Sequence, residues 1–201
     1  MTRFLQVKDM LLGKLKSELP AHLTYHNIDH TQDVMQAAEF IANSEHVSDT
    51  DKELLLTAAL FHDSGFLKLR DGHEMESCNI ARNYLPLYGY NSGEIETICQ
   101  LIMATRLPQS PQNLLAEILC DADLDYLGRD DFFMLSDRLF VELKAEGLVK
   151  DETEWNMQQA DFIGNHRYFT ETPLKLLQAK KEKYVELIKS KIPTRIFDEN
   201  Q

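Results

Sequence analysis

The run Leu54-Leu-Leu-Thr-Ala-Ala-Leu-Phe-His-Asp-Ser-Gly65 decides how this chain is read. Residues 54 to 61 are apolar apart from Thr57, which predicts a buried helix. The helix ends in an imidazole and a carboxylate side by side, His62 and Asp63, and small residues follow at once. Polar groups at the end of an apolar helix cost free energy unless something satisfies them. A polar helix cap would do so. A bound cation would too, because histidine nitrogen and carboxylate oxygen are both common metal ligands.

Working outward, the flanking segments are helical as well. Upstream, Phe4, Leu5, Leu11, Leu12, Leu15 and Leu19 recur at helical spacing until Pro20. A second helix follows Tyr25-His-Asn-Ile-Asp-His30, with Asn27 or Thr24 as its cap and Val34, Ala37, Ala38 and Ile41 on one face. Residues 43–49 are a polar link in which Ser48 or Asp49 caps the helix that ends at His62. Downstream, residues 65–72 read as a loop and 74–85 as a helix ended by Pro86. Residues 89–93 form a turn, and residues 94–105 are periodic through Ile95, Ile98, Leu101 and Ile102. A loop with two prolines, residues 106–111, leads to a short apolar helix at 113–120 that runs into Asp121-Ala-Asp-Leu-Asp125. Residues 132–146 predict an amphipathic helix ended by Gly147, Thr153 a cap, and residues 174–192 one last helix. No stretch alternates like a strand, so the expected class is all-α.

Composition narrows the function. A chain of 201 residues, 43% hydrophobic, is long enough for one sizeable core. Its 33 acidic and 21 basic side chains give a formal charge of -12. That balance argues against general binding to nucleic acid or to an anionic membrane surface, both of which need a cationic face. It leaves room for a small phosphorylated substrate, because a cation neutralises charge locally. Cys78, Cys99 and Cys120 are odd in number, far apart and in apolar surroundings, as expected of reduced core residues in a cytoplasmic protein. The N-terminal residues mix charge with apolar side chains and lack the apolar core of a signal peptide, and no apolar run is long enough to span a bilayer.

Four polar pieces interrupt the apolar pattern. They are His30 with His26 four residues earlier, His62-Asp63, the acids Asp121, Asp123 and Asp125, and His73-Glu74. Acids this close would repel one another if buried without a cation. All lie at or near helix ends, so a shared inward metal site would explain every one of them.

The order His30, His62-Asp63, Asp123 resembles the HD superfamily of metal-dependent phosphohydrolases, over residues 25 to 125. The resemblance implies a single HD-type helical domain over 1–201, with a phosphodiesterase-like bundle holding the metal-site core at about 22–127 and a helical extension at about 130–195. It implies His30, His62, Asp63 and Asp123 as metal ligands. Asp123 is chosen over Asp121 because the family often shows Asp-x-Asp-x-x-Asp here with its second acid on the metal. The segment Tyr25-His-Asn-x-x-His30-x-x-Asp33-Val34 looks like the matching signature of class I cyclic-nucleotide phosphodiesterases. In that pattern His26 protonates the leaving oxygen and His30 binds metal; in the hydrolysis that the wider resemblance implies, Asp63 would hold the metal and orient the attacking hydroxide. The chain departs from its relatives at Phe66, where many carry lysine, and at Met103-Ala-Thr-Arg106, which offers no further histidine. That absence weakens an HD-type di-iron oxygenase reading.

The implied function is cleavage of a phosphoester in a small metabolite, a nucleotide or cyclic nucleotide, with a metal-bound nucleotide sensor of little turnover as the alternative. Imidazole and carboxylate ligands without thiolates suit one or two divalent ions, Mn, Fe, Ni, Co or Zn, with Mg at a second position. Asp33 is a candidate to orient a histidine. Candidate substrate contacts are His73, Glu74, Arg106, His166 and Tyr168, with Thr170 beside them. A homodimer is compatible with such a helical domain.

Overall fold

The computed structural model describes residues 2–193. Among them are ten α-helices and no strand: α1 (Arg3–Glu18), α2 (Ile28–Ser44), α3 (Asp49–Phe61), α4 (His73–Tyr84), α5 (Ser92–Ala104), α6 (Leu114–Asp123), α7 (Phe132–Ala145), α8 (Glu152–Asn165), α9 (Glu171–Leu176) and α10 (Gln178–Lys189). Short 3-10 turns occupy Ser64–Leu67, Leu85–Tyr88 and Asp125–Gly128. No described helix is long and apolar enough to cross a membrane.

Two apolar cores meet at the polar residues. The first joins α1 to α6, with Leu11, Leu55, Phe61, Ile98 and Leu119 fully enclosed. The second gathers Tyr25, Leu124, Tyr126 and Phe132 against α8 and α10 through Ile163, Val185 and Ile188. Each such side chain taken out of water contributes about 1.5–3 kcal/mol. The three cysteines are free and buried.

Local chemistry fixes most helix ends. The Asn27 side chain accepts from the backbone N–H of Asp29 and His30 and starts α2. Ser48 caps α3, and Asn91 with Glu94 forms a reciprocal capping box on α5. Four boundaries differ from expectation. Residues 65–72 are not all loop, because the 3-10 turn of residues 64–67 fills their start. Asp151, not Thr153, caps α8, since its carboxylate reaches the N–H of Glu154. The single last helix is two, α9 and α10, broken at Leu177. There the chain packs so tightly on Gly128 that a Cβ on that glycine would lie 2.5 Å from Leu177 Cβ and O. Finally, α6 runs on past Cys120 to Asp123, which places Asp121 and Asp123 inside a helix rather than in a cluster beyond it.

Candidate metal centre

His62 sits at the C-cap of α3, directly after the buried turn Ala58–Phe61, and is itself 1% exposed. Its Nδ1 lies 2.7 Å from the carbonyl oxygen of Ala59 and must therefore carry the proton as donor. Nε2 is left as the free ring nitrogen. The backbone behind it is clamped. Ser77 Oγ on α4 donates to His62 O at 2.6 Å and accepts from Gly65 N at 2.8 Å. Gly65 has no room for a side chain, because a Cβ there would stand 2.0 Å from His73 O.

His30 comes from the first turn of α2, three residues after its cap, and Asp123 from the last residue of α6. His30 Nε2 lies 3.3 Å from His62 Nε2, 3.3 Å from Asp123 Oδ1 and 3.3 Å from Asp63 Oδ2. His62 Nε2 lies 3.4 Å from Asp123 Oδ1 and 3.3 Å from Asp63 Oδ2. The mutual spacing of His30, His62 and Asp123 is that of ligands about one cation at bond lengths of about 2.0–2.1 Å. Asp63 Oδ2 is buried and has no hydrogen-bond partner. An orphaned anionic oxygen beside two imidazole nitrogens is costly unless a cation is close, so the donor set fits a divalent ion. His30, His62 and Asp123 are a group that could hold one.

Electrostatics agree with that chemistry. Burial opposes the charged form of His30, yet the nearby carboxylates of Asp123 and Asp63 outweigh it and raise the ring to about 9. His62 is raised by the same balance of burial against Asp63 and Asp123. Asp63 and Asp123 are buried, which works against ionisation, but the histidines hold both below the usual carboxylate range.

A cleft of about 390 Å³ opens over the centre, lined by His26, Asp63, His73, Glu74, Arg106 and Asp123 among others. His73 Nε2 is 3.3 Å from Asp63 Oδ1, while its Nδ1 is fixed by Arg70 O at 2.8 Å. Glu74 is buried, with Oε1 3.7 Å from His73 Nε2. His26 is not on α2 but just before it. Its ring is held by Glu142 of α7, which is completely buried. Glu142 Oε1 faces His26 Nδ1 at 2.5 Å, and Oε2 accepts from the N–H of Tyr25 and His26 at 2.8 and 3.0 Å. Arg70 completes the group as an ion pair with Glu142. Burial works against the Glu142 carboxylate, but these donors hold it down to about 2. Phe66 is stacked between the rings of His26 and His73, with centroids 4.4 and 4.2 Å away.

The remaining sequence candidates sort by position. Arg106 is exposed on the rim of the cleft. Asp121 points away from the histidines and accepts from Phe169 N, Thr170 N and Thr170 Oγ1 at 2.9, 2.8 and 2.6 Å. Asp125 and Asp33 face Arg129, so Asp33 orients no histidine. Tyr168 is not brought into the cleft; it is 4% exposed, its hydroxyl 3.5 Å from the carbonyls of Leu124 and Asp125. His166 lines a neighbouring pocket instead. Thr170 is spent on Asp121. Sequence reasoning missed Glu142, Arg70 and the role of Phe66. The only signal for Glu142 was an acid on the apolar side of α7.

Residues 27–125 match the HD domain family. An uncharacterized protein of Clostridium beijerinckii is 37% identical over 101 residues, a stretch that spans 49% of this chain and 62% of that protein. Among solved structures, Bacillus subtilis YpgQ in complex with ADP superposes with a TM-score of 0.65 at 22% identity, over 96% of this chain and 98% of that one. A predicted HD superfamily hydrolase from an uncultured Thermotogales bacterium gives 0.60 at 22% identity, over 90% and 89%. A Lactobacillus plantarum protein gives 0.63 at 16% identity, over 94% and 95%. At these identities the likeness is one of fold.

Proposed function

We propose, from the match of residues 27–125 to the HD domain family, that this chain is a metal-dependent phosphohydrolase acting on a phosphoester of a small nucleotide. The observation that carries the reading is the meeting of His30 Nε2, His62 Nε2 and Asp123 Oδ1 beside the buried, unpartnered Asp63 Oδ2. These four residues would hold the cation. A divalent ion bound there supplies charge neutralisation for the phosphoryl oxygens and lowers the pKa of water from about 15.7 toward 7.

The chain supplies the rest. Asp63 presents Oδ2 to His30 and His62 and Oδ1 to His73, and Asp63, His73 and Glu74 are the residues that would hold a second ion, for which Mg is suited. His26 lines the cleft with its Nδ1 committed to Glu142. Its other ring nitrogen then gives a proton to the leaving oxygen. Arg106, exposed on the rim, grips a phosphate bidentately. Phe66 keeps His26 and His73 apart and excludes water from the face between them. A nucleotide is preferred over other phosphoesters because the Bacillus subtilis protein of the same fold is in complex with ADP.

The test is metal content of the purified protein together with phosphate release across cyclic and linear nucleotides, for wild type, His62→Ala and Asp63→Ala. Stoichiometric metal and turnover, both lost in the variants, are expected. Metal and tight nucleotide binding without turnover would make the chain a nucleotide sensor. Absence of metal after reconstitution would sink both.

A further inference from the structure

A second pocket, of about 550 Å³, adjoins the cleft, and Leu107, Leu124 and Phe162 line both. Leu124 directly follows Asp123, so the two spaces meet at the end of α6. Phe162 and Phe169 bound the second pocket, and Leu107 and Phe169 are 58% and 38% exposed on it. Exposed apolar side chains that rim a concavity are a binding surface more often than an accident.

His166 lines this pocket, is 8% exposed, and has its Nε2 buried without a hydrogen-bond partner. Its other nitrogen is taken. Lys181 of α10, itself 1% exposed, places Nζ 2.6 Å from His166 O and 3.2 Å from His166 Nδ1. An ammonium has only donors, so Nδ1 accepts and the ring proton sits on Nε2. Burial lowers Lys181 only to about 8 and, with Lys181 as second cause, lowers His166 to about 3, so the ammonium and the neutral ring coexist at pH 7. A fully buried lysine with no carboxylate partner among the described residues is rare and expensive. Here it sets one tautomer of one histidine, and the resulting N–H has no hydrogen-bond partner among the described residues.

Resting on the hydrolase reading above, we propose that this pocket is the nucleobase subsite of the same ligand: the base lies against Phe162 and Phe169, and His166 Nε2–H donates to a ring nitrogen or carbonyl of the base. The phosphates then reach the metal centre past Leu124. A planar heterocycle with edge acceptors is the one part of a nucleotide that satisfies both the aromatic walls and the lone donor.

Nucleosides lack phosphate and isolate this pocket from the metal. Adenosine, guanosine, cytidine and uridine are titrated by calorimetry into wild type, His166→Leu and Phe169→Ala, all in EDTA. Saturable binding of at least one nucleoside is expected, weakened about tenfold by Phe169→Ala, the scale of one base–aromatic stack. His166→Leu should weaken it similarly; because that change removes one of the two His166 acceptors of the buried Lys181 and leaves only the backbone carbonyl, its fold is checked by melting, while Phe169 sits on the rim and tests the proposal alone. No saturable binding of any nucleoside, or unchanged affinity in Phe169→Ala, overturns it. Nucleoside binding as expected with no nucleotide turned over would refute the hydrolase and leave the pocket standing. Turnover of ribose 5-phosphate as efficient as that of nucleotides, without nucleoside binding, would do the reverse.

Discussion

Glu142 holds His26 by one carboxylate oxygen and the backbone around it by the other. The pair therefore has two separable consequences. His26→Ala should lower kcat by about 10²–10⁴, the usual worth of a positioned acid, with metal content unchanged; a variant that keeps wild-type kcat would remove His26 from the mechanism. Glu142 acts on stability as well. Its carboxyl is at about 2 in the fold against an ordinary 4.5, so it contributes fully above pH 4.5 and loses that contribution as pH falls toward 2. By linkage the whole is about 3 kcal/mol, of which about 2 is gone by pH 3. Urea titrations at pH 6 and pH 3 should show Glu142→Gln losing that much less between the two than wild type; equal losses would mean the carboxylate is not held by these donors. Beyond the place of Glu142 on the apolar side of α7, none of this was legible in the sequence, because Glu142 lies 116 residues from His26 and nothing local demands the pairing. The cap of α2 was legible for the opposite reason: Asn27 and its two donors lie within three residues. Phe66 stood out as a departure, but its place between two rings depends on a fold the sequence does not spell out.

At the scale of elements, two features govern the centre. The first is the pitch of α6. At about 100° per residue, Asp121 and Asp123 lie roughly 200° apart, so only one can face the histidines. The sequence offered both because the helix seemed to stop at Cys120; once it runs through Asp123, its pitch turns Asp123 toward the histidines and Asp121 toward Thr170. The two acids should separate cleanly in experiment. Asp123→Ala should weaken metal binding at least tenfold at little cost to stability. Asp121→Ala should retain metal but lose about 1–3 kcal/mol, since it orphans the N–H groups of Phe169 and Thr170. Metal titration and denaturant unfolding of both variants decide this, and identical phenotypes would contradict it. The second feature is the junction of α3 and α4 at Gly65. A methyl group there would sit 2.0 Å from a backbone carbonyl that cannot swing away. Gly65→Ala should cost about 2–4 kcal/mol and weaken metal binding as His62 and His73 are pushed apart. A melting temperature equal to wild type would show that the helices part without penalty. The break at Leu177 was invisible beforehand for a related reason: no glycine or proline marks it, and its cause is a close approach to Gly128 from another element.

For the molecule as a whole, the sequence made the helical class readable because apolar spacing repeats within each helix, whereas the meeting of α2, α3 and α6 at His30, His62 and Asp123 is a long-range result. That meeting buries four charged or chargeable ligand candidates in one place and couples the fold to protons and to metal together. Without metal, burial disfavours a charged His30, but Asp123 and Asp63 still lift it to about 9, and His62 rises with it. A cation must displace those protons, since only the deprotonated nitrogen ligates. The sign follows. While the raised histidines hold their protons, each proton displaced weakens apparent affinity about tenfold per unit fall in pH, so metal binds more tightly as pH rises from 6 to 8. Stabilisation by a ligand at 100 times its Kd is about 2.7 kcal/mol, and each tenfold gain in affinity adds about 1.4 kcal/mol at fixed metal. Melting curves with a fixed Mn²⁺ excess, against chelator controls at pH 6, 7 and 8, should therefore show a metal-induced shift that grows at each step. A shift that stays constant with pH would mean that the metal binds without the histidine nitrogens, and that the polar end of α3 is a cap after all.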